Sequence, residues 1–317
     1  MMIVFGNRLK DKYIRQIEAA GENIKVLPVS NLEGVEDSVI KKMEVLVVWG
    51  FDRNLNSDLL DKASNLKWVH VLSAGIEGMP VKEILNKGIK MTKSVGVYAD
   101  TVSEHAFGMI LALARGFNLL MRNQLEAKWE RVKALRLKGK TLGIIGLGDI
   151  GKAIARRGKA FGMKVIGIKR KNEPLENVDE VLSLKDLDVL LKTSDFVVVA
   201  LPLTDETYHM IGEHEFEMMK ETAYIINISR GEVIDEAAML KALKQRWIKG
   251  AGLDVFSKEP IPESSPLWKM ENVIVSPHMA ALSPDYMRES VELFCSNLKN
   301  YLEGKEMKGL VTMDRPY

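Results

Sequence analysis

The stretch TLGIIGLGDIG at residues 141–151 decides the fold of this chain. An apolar run leads directly into the glycine pattern Gly146-Leu147-Gly148-Asp149-Ile150-Gly151, and a helical pattern, Ile150–Phe161, follows it. A second apolar run, Lys164–Ile168, comes at the spacing of a βαβ unit. In such a unit the first glycine permits a tight turn, the second lets the backbone approach a pyrophosphate, and the third lets helix and strand pack closely. The pattern therefore predicts a Rossmann-type dinucleotide-binding unit, with the phosphates at the helix N-terminus.

The residues after the second apolar run depart from the common form of this unit. A carboxylate about 20 residues past the glycines normally accepts hydrogen bonds from the adenosine ribose. Here Lys169, Arg170 and Lys171 follow the run, and the first carboxylate is that of Glu173. These cations would attract a 2′-phosphate, and a planar guanidinium pairs well with phosphate. The turn therefore predicts a preference for NADP(H), while use of NAD(H) stays open because a basic surface turn is compatible with both coenzymes.

Apolar runs and helical patterns alternate over most of the chain. One alternating series occupies the first hundred residues, and a second begins at Thr141. Such alternation predicts α/β architecture with parallel sheets covered on both faces. A long helical stretch from Val102 to about Glu126 links the two series, and a C-terminal helical pattern from Pro284 to about Leu302 is expected to pack back onto the first lobe. We therefore predict a domain of residues 1–100 plus 284–317 and a second of residues 101–283.

The composition is typical of a soluble globular protein. Of the 317 residues, 46% are hydrophobic and 28% are charged, and the net charge is only +2, so a nucleic-acid binder is not expected. Cys295 is the only cysteine, which excludes an internal disulfide and a cysteine-rich zinc site. No HExxH or paired-carboxylate spacing indicates another metal site. No segment approaches the roughly 18–20 apolar residues that span a bilayer, and no signal-peptide core is visible. We expect a cytoplasmic protein without a metal or a membrane partner.

Three apolar runs of the second lobe end in polar side chains. One run ends at Ile228-Ser229-Arg230, another is followed by Asp254 and then Glu259, and the last is followed by His278. Ligands of open α/β sheets bind at the carboxyl ends of the strands. Hydride removal from an alcohol needs a base for the hydroxyl proton, which a histidine supplies near neutrality. A carboxylate beside it stabilises the protonated ring, and an arginine can bind a substrate carboxylate with two hydrogen bonds. These strand ends indicate a dehydrogenase site.

Taken together, these motifs resemble the D-isomer-specific 2-hydroxyacid dehydrogenase family. The resemblance rests on the glycine loop, on LPLTDET at residues 201–207, on Asn227–Gly231, on Gly252–Phe256 with Glu259-Pro260, and on Ser276-Pro277-His278, in this order. It implies a Rossmann-type coenzyme domain inserted into a flavodoxin-like substrate domain. It also implies homodimers formed through the coenzyme domain. Because the chain ends at Tyr317, we expect a short form without the regulatory domain that some relatives carry.

The resemblance also implies roles for single residues. His278 would be the acid/base and Glu259 its partner, Arg230 would bind the substrate carboxylate and polarise the keto oxygen, and the backbone amides of Ala74 and Gly75 would cradle the carboxylate. The coenzyme would contact Gly146, Gly148, Asp149, Ile150, Gly151, Lys169, Arg170, Lys171, Leu201, Pro202, Thr207, Ile228, Ser229, Arg230, Asp254 and His278. Candidates for the pocket that receives the substrate side chain are Trp49, Phe51, Tyr98 and Met279.

The leading interpretation is an NADP-preferring D-2-hydroxyacid dehydrogenase or 2-keto acid reductase of the glyoxylate or hydroxypyruvate reductase type. A short phosphoglycerate dehydrogenase belongs to the same class and stays open. A non-catalytic, dinucleotide-sensing corepressor is the alternative from another class, although the joint presence of Arg230, Glu259 and His278 favours an enzyme. A methyltransferase also uses a glycine-rich βα turn, but this set of three and the segment around Pro202 argue against it.

Overall fold

The computed structural model describes residues 1–50, 52, 54–171 and 173–314. Phe51, a candidate for the side-chain pocket, lies outside the described residues. The chain divides into two structural units, which we call the first and the second unit. The first unit is Met1–Val97 together with the segment from Ser283 onward, and the second unit is Tyr98–Leu282.

Strands and helices alternate along both units. The strands are β1 (Met2–Phe5), β2 (Lys25–Pro28), β3 (Val45–Val48), β4 (Trp68–Val71), β5 (Lys90–Lys93), β6 (Thr141–Ile145), β7 (Lys164–Ile168), β8 (Glu180–Leu182), β9 (Phe196–Val199), β10 (Tyr224–Asn227), β11 (Gly250–Leu253), β12 (Val273–Val275) and β13 (Leu310–Val311). The helices are α1 (Asp11–Glu18), α2 (Asp37–Lys42), α3 (Ser57–Lys62), α4 (Val81–Asn86), α5 (Ala99–Arg115), α6 (Phe117–Leu125), α7 (Asp149–Ala160), α8 (Leu187–Thr193), α9 (Glu213–Met218), α10 (Glu236–Gln245) and α11 (Tyr286–Leu302). Short 3₁₀ helices lie at Leu184–Asp186, Gly231–Val233 and Pro266–Trp268.

The first unit is built on a sheet in the order β13-β5-β4-β3-β1-β2. Neighbouring strands of this sheet pair in parallel, except that β13 runs antiparallel to β5. The central strands β3 and β4 are buried along their whole length, and His70 is the one residue of the two that is not apolar. The C-terminal helix α11 belongs to this unit, since Phe294 and Leu298 share an apolar cluster with Ile17 and Trp68. The Phe294 and Trp68 rings stack with centroids 5.1 Å apart. Helix α11 thus packs with α1 and β4 of the first unit.

The second unit contains an all-parallel sheet in the order β12-β11-β10-β9-β6-β7-β8. From β6 the chain moves outward to β7 and β8, and then returns to β9 on the other side of β6. The switch point therefore lies between β6 and β9, where Ile145 pairs with Val199. Ligands of such sheets bind in the crevice outside the strand ends at this point. The predicted Rossmann-type unit is confirmed, and the glycine loop lies at its switch point.

The long helical stretch predicted from Val102 to about Glu126 is wrong in one respect. The structure has two helices there, α5 and α6, separated by Gly116 in the left-handed conformation with φ +71°. A glycine adopts this conformation without the steric penalty of a β-carbon, which ends α5 and redirects the chain.

Neither these helices nor the others in the described ranges have the length and hydropathy needed to cross a membrane.

Candidate active site

A histidine and a carboxylate form a close pair at the carboxyl edge of the second unit's sheet. His278 follows β12, and its Nδ1 lies 2.7 Å from Oε2 of Glu259. The other carboxylate oxygen of Glu259 accepts a hydrogen bond from the Phe256 N–H at 3.0 Å, so this side chain is held at both oxygens. Because Nδ1 faces a carboxylate, it carries a proton. The ring therefore has Nε2 left for proton exchange with a ligand.

A buried amide shapes the turn that carries Arg230. Asn227, the last residue of β10, is 1% exposed and donates from Nδ2 to the Arg230 carbonyl at 2.9 Å. Its Oδ1 accepts from both the N–H and the hydroxyl of Ser229. Asn227 begins one of the motifs of the family resemblance but is not among the predicted site residues, although an amide at the end of the otherwise apolar strand YIIN was a usable signal.

The Arg230 turn packs against the segment that leads to Glu259. A β-carbon at Gly231 would lie only 1.9 Å from the carbonyl carbon of Phe256, so any other residue would push the two segments apart. The structure thereby places Arg230 and the pair of Glu259 and His278 on adjoining loops of the second unit.

The glycine loop after β6 shows three different environments. Gly146 has φ +107°, and a β-carbon there would lie 2.5 Å from the Ala200 carbonyl oxygen. A β-carbon at Gly151 would lie 2.0 Å from the Gly146 carbonyl oxygen, so α7 packs directly on the turn. At Gly148, which is exposed, a β-carbon would meet no atom of the described residues within 4 Å. In the part of the chain that the structure describes, no side chain caps the N-terminus of α7. The open position and the uncapped helix fit the phosphates of a dinucleotide.

The basic turn after β7 faces solvent. Arg170 and Lys171 are exposed and Lys169 is half-buried. Nη2 of Arg170 lies 3.8 Å from Oε2 of Glu206, which belongs to the loop after β9. A carboxylate is thus already close to the predicted phosphate-binding cations.

The other predicted coenzyme residues divide into open and buried positions. Asp149 and Pro202 are exposed, whereas Ile150 and Leu201 are half-buried. The remaining four, Thr207, Ile228, Ser229 and Asp254, are buried. The Thr207 hydroxyl donates to the Pro202 carbonyl at 2.7 Å and closes its own loop. Both carboxylate oxygens of Asp254 accept hydrogen bonds inside the protein. These buried polar groups hold the loops that present their exposed neighbours.

Ala74 and Gly75 belong to the first unit, in the loop after β4. The Ser73 hydroxyl donates to the Gly75 carbonyl at 2.7 Å and accepts from the Gly50 N–H at 3.0 Å, which fixes the loop. Within the described residues, the N–H groups of Ala74 and Gly75 donate no hydrogen bond, so they are available to an anion. Of the pocket candidates, Tyr98 is 6% exposed and Met279 is 40% exposed. Trp49 packs against Tyr286 with ring centroids 5.9 Å apart.

Other reactive side chains offer no comparable site. Burial raises the pKa of the Cys295 thiol to about 11, so it is a poor nucleophile near neutrality. His70 is completely buried in the first unit. Among the described residues, His, Cys, Asp and Glu side chains form no group of three or more that could hold a metal ion.

Comparison with known proteins identifies the family. Residues 107–280 match the family model for the D-isomer specific 2-hydroxyacid dehydrogenase, NAD binding domain. The chain is 38% identical over 296 residues to a glyoxylate reductase from Thermococcus litoralis, which covers 90% of this chain and 89% of that protein. A D-isomer specific 2-hydroxyacid dehydrogenase family protein from Aeromonas salmonicida has a similar structure, with a TM-score of 0.85, 31% identity and 98% of both chains covered. The D-isomer specific 2-hydroxyacid dehydrogenase from Xanthobacter autotrophicus Py2, solved with NADPH and MES, has a TM-score of 0.86 at 28% identity, covering 100% of this chain and 99% of that one. This chain therefore belongs to the D-isomer specific 2-hydroxyacid dehydrogenase family of NAD(P)-dependent oxidoreductases.

Proposed function

We propose that this protein is a 2-keto acid reductase that interconverts a 2-keto acid and a D-2-hydroxy acid, with glyoxylate and hydroxypyruvate as the first substrates to test. The observation that carries the proposal is the 2.7 Å contact between His278 Nδ1 and Glu259 Oε2 at the carboxyl edge of a Rossmann sheet. The similarity to a glyoxylate reductase supports the choice of substrates. In this proposal the second unit binds the coenzyme and carries the acid/base pair.

The protein residues would divide the reduction into binding and proton transfer. A bound nicotinamide dinucleotide supplies the hydride. Arg230 would bind the substrate carboxylate and polarise the keto oxygen. His278 would give a proton from Nε2 to the keto oxygen as C2 gains the hydride. Glu259 stabilises the imidazolium before the transfer and orients the neutral ring after it.

NADP(H) is the proposed preferred coenzyme. The open glycine loop and the start of α7 would bind the pyrophosphate. Lys169, Arg170 and Lys171 would face the adenosine ribose and attract a 2′-phosphate. Oε2 of Glu206 lies 3.8 Å from Nη2 of Arg170. Once the Glu206 side chain moves away, the exposed Arg170 guanidinium can form a bidentate contact with a phosphate.

The reaction is tested by following loss of reduced nicotinamide absorbance with glyoxylate, hydroxypyruvate and larger 2-keto acids, each with NADPH and NADH. We expect turnover with at least one acid and a higher kcat/KM with NADPH. The variant His278→Gln should bind coenzyme normally and lose about 10²–10⁴-fold in kcat, the range usual for an acid/base group. Full activity of this variant, or no turnover of any acid by a parent protein that binds NADPH tightly, would contradict the proposal. The second result would favour the sensor alternative.

A homodimer formed through the second unit is proposed from an exposed apolar face on α6. Phe117, Met121 and Leu125 lie four residues apart on one side of this helix and are 53%, 65% and 88% exposed, and the nearby Trp129 is 101% exposed. An apolar stripe of this kind typically marks a protein interface. We expect light scattering to show a dimer that Met121→Glu converts to a monomer. Val189→Glu, at an exposed apolar position on α8, is the matched control, and a monomeric parent protein would refute the assignment.

A further inference from the structure

A completely buried carboxylate organises the loop that carries His278. Asp254 follows β11 and is 1% exposed. Its Oδ1 accepts from the Ser276 hydroxyl at 2.5 Å and from the Met279 N–H at 3.0 Å, and its Oδ2 accepts from the Ala280 N–H at 2.9 Å. Donors on both sides of His278 therefore converge on one carboxylate. These hydrogen bonds compensate for the hydration that a carboxylate loses when it is buried.

The backbone of His278 itself is held in an uncommon conformation by the same aspartate. Its φ is +49°, in the left-handed region that a residue with a β-carbon seldom adopts. The His278 N–H donates to the Asp254 carbonyl at 2.8 Å. The side chain and the main-chain carbonyl of Asp254 thus accept four hydrogen bonds from the loop. Unusual backbone conformations persist where the surrounding structure over-determines them, which is the case here.

A second histidine completes this arrangement from a different element. His105 lies on α5, and its Nε2 is 2.8 Å from the Ser276 hydroxyl and 3.4 Å from Oδ1 of Asp254. The helix reaches this position because it lies over β11, where a β-carbon at Gly252 would come within 3.0 Å of Met109. The Ser276 hydroxyl gives its only proton to Asp254, so it must accept from His105. The imidazole of His105 therefore carries its proton on Nε2.

We propose that His105 is a positioning residue for the reaction: through Ser276 and Asp254 it fixes the loop that presents His278. This inference rests on the proposed role of His278 as the acid/base. Loss of the His105 donor leaves the Ser276 oxygen without its second partner and removes positive potential beside the buried carboxylate. The loop can then relax from its left-handed conformation, and the His278 ring loses its alignment. A misplacement of about 1 Å at a reacting group costs about a hundredfold in rate.

The first test compares His105→Leu, which removes the donor, with His105→Gln, whose Nε2 can replace it. We expect His105→Leu to lower kcat by about tenfold to a hundredfold while the KM for coenzyme changes by less than about threefold. His105→Gln should recover most of the lost kcat. His214→Leu, the same substitution at an exposed histidine of α9, is the matched control. Equal losses in the Leu and Gln variants, or a kcat for His105→Leu within about twofold of the parent, would overturn the proposal.

A double-mutant cycle tests whether His105 acts through Ser276. If it does, the double variant with His105→Leu and Ser276→Ala should have a kcat within about twofold of that of Ser276→Ala alone, because the two substitutions break one chain of contacts. Losses that multiply would mean that His105 acts by another route, which contradicts the proposal.

Hydrogen exchange separates this inference from the proposed function. The Met279 and Ala280 N–H groups that donate to Asp254 should exchange faster in His105→Leu than in the parent and in His214→Leu. This measurement needs no turnover, so it decides the positioning role even if no 2-keto acid is reduced. Unchanged exchange at both amides in a folded His105→Leu protein would refute it.

Discussion

The buried imidazole of His70 should make the stability of the first unit depend on pH. This side chain lies on the central strand β4 and is 0% exposed. Its Nδ1 contacts the Thr92 hydroxyl at 2.7 Å, whereas its Nε2 has no hydrogen-bond partner among the described residues. Burial lowers the pKa of His70 from 6.5 to about 3, because a protonated ring would be a charge without solvent.

The sign and size of the effect follow from linkage. The unfolded chain binds a proton at His70 below about pH 6.5, and the folded chain does not do so until about pH 3. The full stability is therefore present above about pH 6.5 and is lost as the pH falls from there to about 3. The loss is about 1.4 kcal/mol per pH unit, which amounts to about 3 kcal/mol between pH 7 and pH 4.5.

Replacing His70 with leucine removes the titrating group and leaves an apolar side chain beside Trp68 and Phe294. Urea unfolding at about pH 7 and pH 4.5 gives the free energy of unfolding of parent and variant, and hydrogen exchange of β4 and β5 assigns the change to the first unit. We expect the drop in stability between the two pH values to be about 3 kcal/mol smaller in His70→Leu. The exposed-site variant His214→Leu should behave like the parent. Equal drops in His70→Leu and the parent would refute the reasoning.

Three further predictions concern the second unit. Gly151→Ala places a β-carbon 2.0 Å from the Gly146 carbonyl oxygen, so the glycine loop must shift. NADPH binding, measured by fluorescence titration, should weaken by at least about tenfold. Unchanged affinity would contradict the packing role of this glycine. Glu206→Gln removes the carboxylate 3.8 Å from Arg170 and should raise the kcat/KM ratio of NADPH to NADH by about two- to fivefold, whereas a lowered ratio would argue against a 2′-phosphate at this turn. Glu259→Gln should lower kcat at least about tenfold with little change in coenzyme affinity, and a purely KM effect would remove it from the acid/base pair with His278.

Local sequence patterns were sufficient to predict the α/β architecture because an apolar run indicates a buried strand. The runs at β6, β11 and β12 are apolar except for Thr141, as is usual in parallel sheets with helices on both faces, and each of these runs indicated a strand. The short strands β8 and β13 escaped prediction because two or three residues carry too little periodicity to be recognised. The break at Gly116 was missed because a glycine within an apolar helical pattern does not reveal its backbone conformation.

By itself, the sequence determined the dinucleotide fold, the family and the residue types of the candidate site, because strand, glycine turn and helix are consecutive in the chain and their pattern is local. Only the tertiary structure decided which polar groups meet. His105 and Ser276 are 171 positions apart, and they come together because α5 lies over β11. The carboxylate of Asp254, a residue predicted to contact the coenzyme, accepts hydrogen bonds from Ser276, Met279 and Ala280. Such contacts depend on how helices and strands far apart in the chain pack together, which no local spacing records.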